Sequence, residues 1–134
     1  MDIDPSKKPD VVGDVRSLPF KNEIFEMVIF DPPHVPFGPN ANMAKDFGHF
    51  NTQHIKSMIR EGFPEMARVL FSKGKMIFKW SDHDISLEKI LALGSKFIPL
   101  CGHKTAYHTK HASKTFWVLL EKGERPDRYQ GELF

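Results

Sequence analysis

The run from Phe25 to Phe30 (Phe-Glu-Met-Val-Ile-Phe), closed by Asp31-Pro32-Pro33, constrains this chain more than any other stretch. Its apolar and aromatic side chains read as a strand. Two successive prolines cannot continue a central ladder, because each lacks an amide hydrogen and has its φ fixed, so the strand must stop there. A carboxylate is thereby delivered to the carboxyl end of a strand, where open α/β sheets bind ligands. The double proline is a stiff mount that offers carbonyls without competing N–H donors. An amino group on a flat base needs such surroundings. Asp31 and a neighbouring carbonyl can accept its two hydrogens, and the His34 ring can stack on its face. The nitrogen lone pair is then left to attack an electrophilic methyl group, once the base has been unstacked. Asp31, Pro32, Pro33 and His34 are therefore the candidate catalytic residues. The plainer alternative is an ordinary strand-end turn with a polar cap.

The rest of the chain alternates apolar β-like runs with helical or loop stretches. Val11-Val12 is a short apolar pair ahead of Gly13-Asp14. Residues 35–50, rich in Pro, Gly and Asn, read as a long loop whose Phe37, Phe47 and Phe50 could close over a flipped base. Asn51-Thr52 is a plausible cap for a helix with apolar residues at Ile55, Met58, Ile59, Phe63, Met66, Val69 and Leu70. Pro64 predicts a kink or a break near Gly62-Phe63, with Pro64 opening a second segment. Ser72 to Lys75 reads as a turn and Met76 to Trp80 as a strand. Ser86 should cap a helix from Leu87 to Leu93, closed by Gly94. Phe97 to Leu100 and Thr115 to Leu120 read as strands on either side of a basic loop from Gly102 to Lys114. Joined without a helix, they predict an antiparallel edge hairpin. The whole predicts an α/β fold with a mostly parallel sheet over residues 1–121 and a polar tail at 122–134.

Acidic residues fall near three strand ends in order. Asp2 or Asp4 could hold ribose hydroxyls, and Asp14 could accept from the amino group of an adenine whose ring nitrogens meet the following backbone N–H groups, at Val15 and Arg16. Aspartates also cap loops for structural reasons, so each alone says little. Taken together, these motifs resemble a class I S-adenosylmethionine-dependent methyltransferase from its second strand onward. Asp2-Ile3-Asp4-Pro5 resembles the family's acidic end of strand two, and Gly13 to Phe20 its third motif. Asp31-Pro32-Pro33-His34 resembles the Asp/Asn-Pro-Pro-aromatic motif of amino methyltransferases acting on DNA and some RNA. Arg68-Val69-Leu70 followed by Lys73 to Trp80 resembles the helix-to-strand passage of the same fold. The resemblance spans roughly residues 1 to 120.

The resemblance implies a Rossmann-like sheet, truncated at the N-terminus, with S-adenosylmethionine as cofactor. Asp14, with Val15 and Arg16, would meet its adenine, Asp2 or Asp4 its ribose, and Asp31 to His34 the target amino group, with adenine N6 favoured. Methyl transfer would be a direct in-line displacement that requires no metal. Two features depart from the family. Its glycine-rich turn after strand one is not found here, so a second copy or a partner chain could complete the sheet, whose edge would otherwise be exposed. The aromatic position holds histidine, which can titrate as well as stack.

Composition adds little to this. The net charge of +2 permits a nucleic-acid partner without requiring one. Lys79, Lys104, Lys110 and Lys114 are the candidate phosphate contacts; a solvated basic hairpin loop reads equally well for the last three. Cys101, His103, His108 and His111 raise a zinc reading, but the spacing is loose and lysines are interspersed, so no metal is assigned. With one cysteine an internal disulfide is excluded, which suits a reducing compartment. The chain has no signal-peptide pattern and no long apolar run, and a cytoplasmic enzyme is the expectation. Three alternatives remain: a methyltransferase for a protein amide or small molecule, a shortened methyltransferase-like domain that binds nucleic acid or a partner without activity of its own, and a zinc module on the Cys101–His111 loop.

Overall fold

Alternation of apolar side chains builds one side of a four-stranded sheet. In the computed structural model, which describes residues 1–34, 36, 51–94, 96–105 and 114–123, the strands are β1 (Phe25–Phe30), β2 (Leu70–Ser81), β3 (Phe97–Thr105) and β4 (Thr115–Lys122). Their order across the sheet is β1-β2-β4-β3. β1 runs parallel to β2, and the other two pairings are antiparallel. The protein is thus α/β with an open Rossmann-like sheet, and β3 and β4 form the expected antiparallel edge hairpin. The parallel part of the described sheet is the single pair β1–β2.

Phe30, Met76, Phe78, Trp80, Val118, Leu120 and Phe97 are buried on the covered face. Against them lie α1 (Thr52–Val69), through Ile55, Ile59, Phe63 and Met66, and α2 (Leu87–Leu91), through Ile90 and Leu91. Phe63 is the hub: its ring meets Phe30, Phe78 and Phe97 edge-on at centroid distances of 6.2, 5.3 and 5.8 Å. Such offset geometry is the favoured one for aromatic quadrupoles. The other face is a contrast, with Met27 and Ile29 51% and 67% exposed.

Asn51 caps α1 as expected, its side chain accepting from the His54 N–H at 2.9 Å. Of the kink or break expected at Pro64, the break does not occur: α1 runs continuously to Val69 with Pro64 inside it. Pro64 faces solvent while Gly62, Phe63, Met66 and Ala67 are buried around it, so packing holds the helix and the carbonyl of Arg60 that loses its donor sits on the wet side. The turn expected at Ser72–Lys75 lies inside β2, which starts at Leu70. It is a bulge: pairing jumps from Phe25↔Leu70 to Met27↔Lys75, and Lys73 takes a left-handed φ of 58°. The second helix stops at Leu91, short of Leu93, and the Ser86 side chain makes no capping bond. Part of the supposed basic loop, Gly102 to Thr105, is strand, because its backbone pairs with β4 as far as Thr105↔Thr115. Pairing there depends on the backbone, and the exposed side chains of an edge strand conceal it. The loop at 37–50 with its phenylalanines, and the tail from 124, lie outside the described residues.

Candidate functional site

The site starts where β1 ends. Phe30 is buried, Pro32 is buried, and Asp31 between them has a side chain 43% exposed. The prolines thus end the strand, as their chemistry requires, and leave the carboxylate facing out. His34 folds back, its Nδ1 lying 3.1 Å from the Pro32 carbonyl oxygen and 4.0 Å from Asp31 Oδ1. A carbonyl only accepts, so Nδ1 carries the hydrogen of this bond. The imidazole meets the Trp80 ring edge-on, 6.1 Å between centroids. Trp80 is itself locked, fully buried and donating from Nε1 to the Ile85 carbonyl at 2.8 Å. The four residues Asp31 to His34 therefore form one preorganised unit.

Lys79, one strand over on β2, donates from Nζ to Asp31 Oδ2 at 2.7 Å. The same ammonium lies over the Trp117 ring of β4, 5.4 Å from its centroid. Register explains the meeting, since Lys79 pairs with Trp117 and Trp117 with His103, so the three share one row across the sheet. Trp117, not singled out from the sequence as a site residue, is 41% exposed on the uncovered face. Its position opposite Val118 and Leu120 in a period-2 strand was the available signal.

The N-terminal acidic residues are gathered by a different device. Asp2 and Val12 form an isolated parallel bridge, with the Asp2 N–H donating to the Val11 carbonyl and the Gly13 N–H to the Asp2 carbonyl at 3.0 Å. This sets Asp2 beside Gly13-Asp14. Gly13 is tight: a Cβ there would lie 2.9 Å from Pro19 Cδ. The expected short strand ending at Asp14 is absent, because two apolar residues between Pro9 and Gly13 give only this one bridge. Asp14 pairs instead with Ser17 in a turn. Its carboxylate is gripped by Arg16, whose Nη2 donates to Oδ2 at 2.6 Å and whose backbone N–H donates to Oδ1 at 2.9 Å. The Arg16 side-chain bond holds the Asp14 carboxyl below its ordinary range. Asp2 and Asp4 each accept a local backbone N–H through Oδ1, from Asp4 and Ser6 respectively. Hydrogen bonds from Ser6, its side chain first and its backbone N–H second, likewise lower the Asp4 carboxyl.

This segment is tied to the rest through α1. Val15 packs where Gly62 leaves room: a Cβ at 62 would stand 3.3 Å from Val15 Cγ2 and 3.7 Å from Phe30 Cζ. The residue after Asp14 and the residue before Asp31 thus meet on one turn of one helix. A clamp completes the link. Arg68 donates to the carbonyls of Phe20 and Leu18 at 2.7 and 3.0 Å and to Glu65, whose Oε2 accepts the Leu18 N–H at 2.8 Å. Sequence reasoning missed this clamp, although Glu65-x-x-Arg68 has the spacing of a helical ion pair.

The remaining candidates are scattered. Lys104 sits exposed on β3 opposite Phe116. The Lys114 N–H donates to Asp82 Oδ1 at 2.9 Å, fixing the entry to β4. Lys110, His108 and His111 lie outside the described residues, and among the described residues no group of three metal-ligating side chains occurs. Nor does any described helix have the length and apolarity to cross a membrane.

No family model and no curated protein matches the chain in sequence. Among solved structures, the crystal structure of the PH0226 protein from Pyrococcus horikoshii OT3 is similar, with a TM-score of 0.57 at 18% identity over 87% of this chain. The match spans 62% of that protein. At this identity the likeness is one of fold.

Proposed function

We propose that this chain is an S-adenosylmethionine-dependent methyltransferase domain acting on an exocyclic amino group of a nucleic-acid base, with adenine N6 favoured. The observation that carries the reading is the unit Asp31-Pro32-Pro33-His34 at the carboxyl end of a parallel strand. Its carboxylate is outward, its prolines are fixed, and its imidazole is anchored on Trp80. Asp31 would accept one hydrogen of the amino group and a carbonyl of the proline pair the other. The nitrogen lone pair would then point away from both, towards the methyl donor. Holding a polarised amino group in this way is catalysis by placement and electrostatics.

The N-terminal residues fit a nucleoside-bearing cofactor. The Asp2–Val12 bridge brings two carboxylates, Asp2 and Asp14, to one neighbourhood, and the local backbone bond of Asp2 uses Oδ1. Asp2 or Asp4 would hold ribose hydroxyls, and Asp14 with the Val15–Arg16 peptides the adenine edge. The cofactor itself would supply the electrophilic methyl group.

Titration calorimetry with S-adenosylhomocysteine tests the cofactor half: micromolar binding that Asp14→Ala abolishes is expected, and no binding at millimolar ligand would remove this chain alone as a working enzyme. Methyl transfer to an adenine-containing oligonucleotide tests the other half. Asp31→Ala should lower the rate by about a hundredfold or more. One observation favours a second reading, a methyltransferase-like domain without activity of its own: Asp14 already spends both oxygens on Arg16. In that case Arg16→Ala would leave cofactor binding absent; in the enzyme reading it frees Asp14 and binding persists.

A further inference from the structure

The Asp31 carboxylate is not bare. Lys79 lies on it at 2.7 Å, and Trp117 backs the same ammonium at 5.4 Å. Lys79 is held from two sides, by a carboxylate and by a π-face. Among the described residues, the charged or titratable groups set around Asp31 are this lysine from β2 and His34 from its own segment, with His103 of β3 next to Trp117 in the row. Asp31 is therefore presented to a ligand as a half-neutralised acceptor, with one oxygen committed to a cation and the other turned towards His34.

That arrangement discriminates between two kinds of amino group. A neutral aromatic amine offers weakly positive hydrogens and can share the carboxylate with Lys79. A protonated amine brings a full positive charge to within a few ångströms of another, and like charges that close repel. We propose that Lys79 determines the substrate class of this site, screening Asp31 so that it takes neutral base amino groups and turns away cationic amines such as lysine side chains or polyamines. The inference rests on the reading of Asp31 as the acceptor of the target amino group. Lys79 then acts through Asp31 and is a positioning residue. Being partly exposed, the pair is screened by water, so the discrimination is modest, about five- to tenfold in affinity.

The test is a binding experiment on the chain itself, read at the Trp117 indole N–H by nuclear magnetic resonance, with Trp117→Phe to assign the signal. The probes are adenosine and n-butylammonium. In the unsubstituted protein adenosine should shift the signal and n-butylammonium should not. Lys79→Met, of similar length without charge, should make n-butylammonium bind about five- to tenfold more tightly and leave adenosine little changed. Lys79→Arg should restore the original selectivity. If Lys79→Met gains nothing for n-butylammonium, or if the unsubstituted protein takes both probes alike, charge selection is overturned. If n-butylammonium binding rises in Lys79→Met but adenosine never shifts the signal, charge selection holds and the base-binding reading of Asp31 fails. Lys79→Gln gives a second neutral variant should Lys79→Met fold poorly.

Discussion

The two halves of the candidate site are held by opposite means. The Asp31 half grows from a sheet whose covered face is packed with aromatic rings, and its anchor Trp80 is fully buried. The half that carries Asp2, Asp4 and Asp14 belongs to residues 1–24, where Leu18 alone is buried and hydrogen bonds, two isolated bridges and an ion-pair clamp do the holding. Hydrophobic burial is cooperative and tolerant of pH, whereas exposed polar bonds each add little and depend on charge. One half is therefore a rigid mount, and the other can open locally without unfolding the sheet.

Substitutions can break this contrast. Phe63→Ala should have the largest effect, about 4 kcal/mol, because it empties the hub of the core; both halves should then be lost together in a single denaturation transition. Separate transitions would mean that the N-terminal segment folds on its own. Gly94→Ala should follow at about 2–3 kcal/mol, since a Cβ at that position runs well inside contact distance of the Phe63 ring. Asn51→Ala should cost about 1 kcal/mol through its cap, measurable as a shift of the urea midpoint with unchanged slope.

The weaker effects sharpen the comparison. Arg68→Ala should raise amide hydrogen exchange in residues 14–24 and weaken binding of the proposed cofactor, while strand amides of β2 and β4 stay protected; loss of protection throughout would show that the clamp supports the whole fold. The smallest effect is with pH. Arg68 holds the Glu65 carboxyl below its ordinary range. A depressed carboxyl contributes stability that is present above its unfolded value and is lost as pH falls through the folded one. Amide protection factors in residues 14–24, taken relative to the slower intrinsic exchange in acid, should therefore fall on acidification from near pH 4.5 downward, before the sheet yields, and Glu65→Gln should flatten that response.

Much of the sheet was legible because it rests on local chemistry. Phe25–Phe30 announces itself by composition and by the prolines after it, and the hairpin by two apolar runs with no helix between them. Pro64 misled because helix propensity is a local quantity, and the burial of Phe63 and Met66 outweighs it. Ser72–Lys75 misled because a turn and a bulge use the same residues, and only the partner strand distinguishes them. Gly102–Thr105 was taken as loop because an exposed edge strand lacks the alternation that marks a half-buried one. Within the site, the Asp31-Pro32-Pro33-His34 unit was readable as a motif. The meeting of Lys79 with Trp117 beside it was not, because register between β2 and β4 sets it.

The amino-acid sequence by itself determined where strands must stop, which helix carries an apolar stripe, and that an aspartate stands at the carboxyl end of β1. These follow from φ restriction, missing donors and side-chain periodicity, all properties of neighbours in the chain. Only the tertiary structure decided that Lys79 reaches Asp31 with Trp117 behind its ammonium, that Arg16 grips Asp14, and that Gly62 lets Val15 and Phe30 meet on one helical turn. Those contacts join residues far apart in the chain, or depend on which conformer a side chain adopts. Their geometry is set by strand register and close packing, which no local pattern encodes.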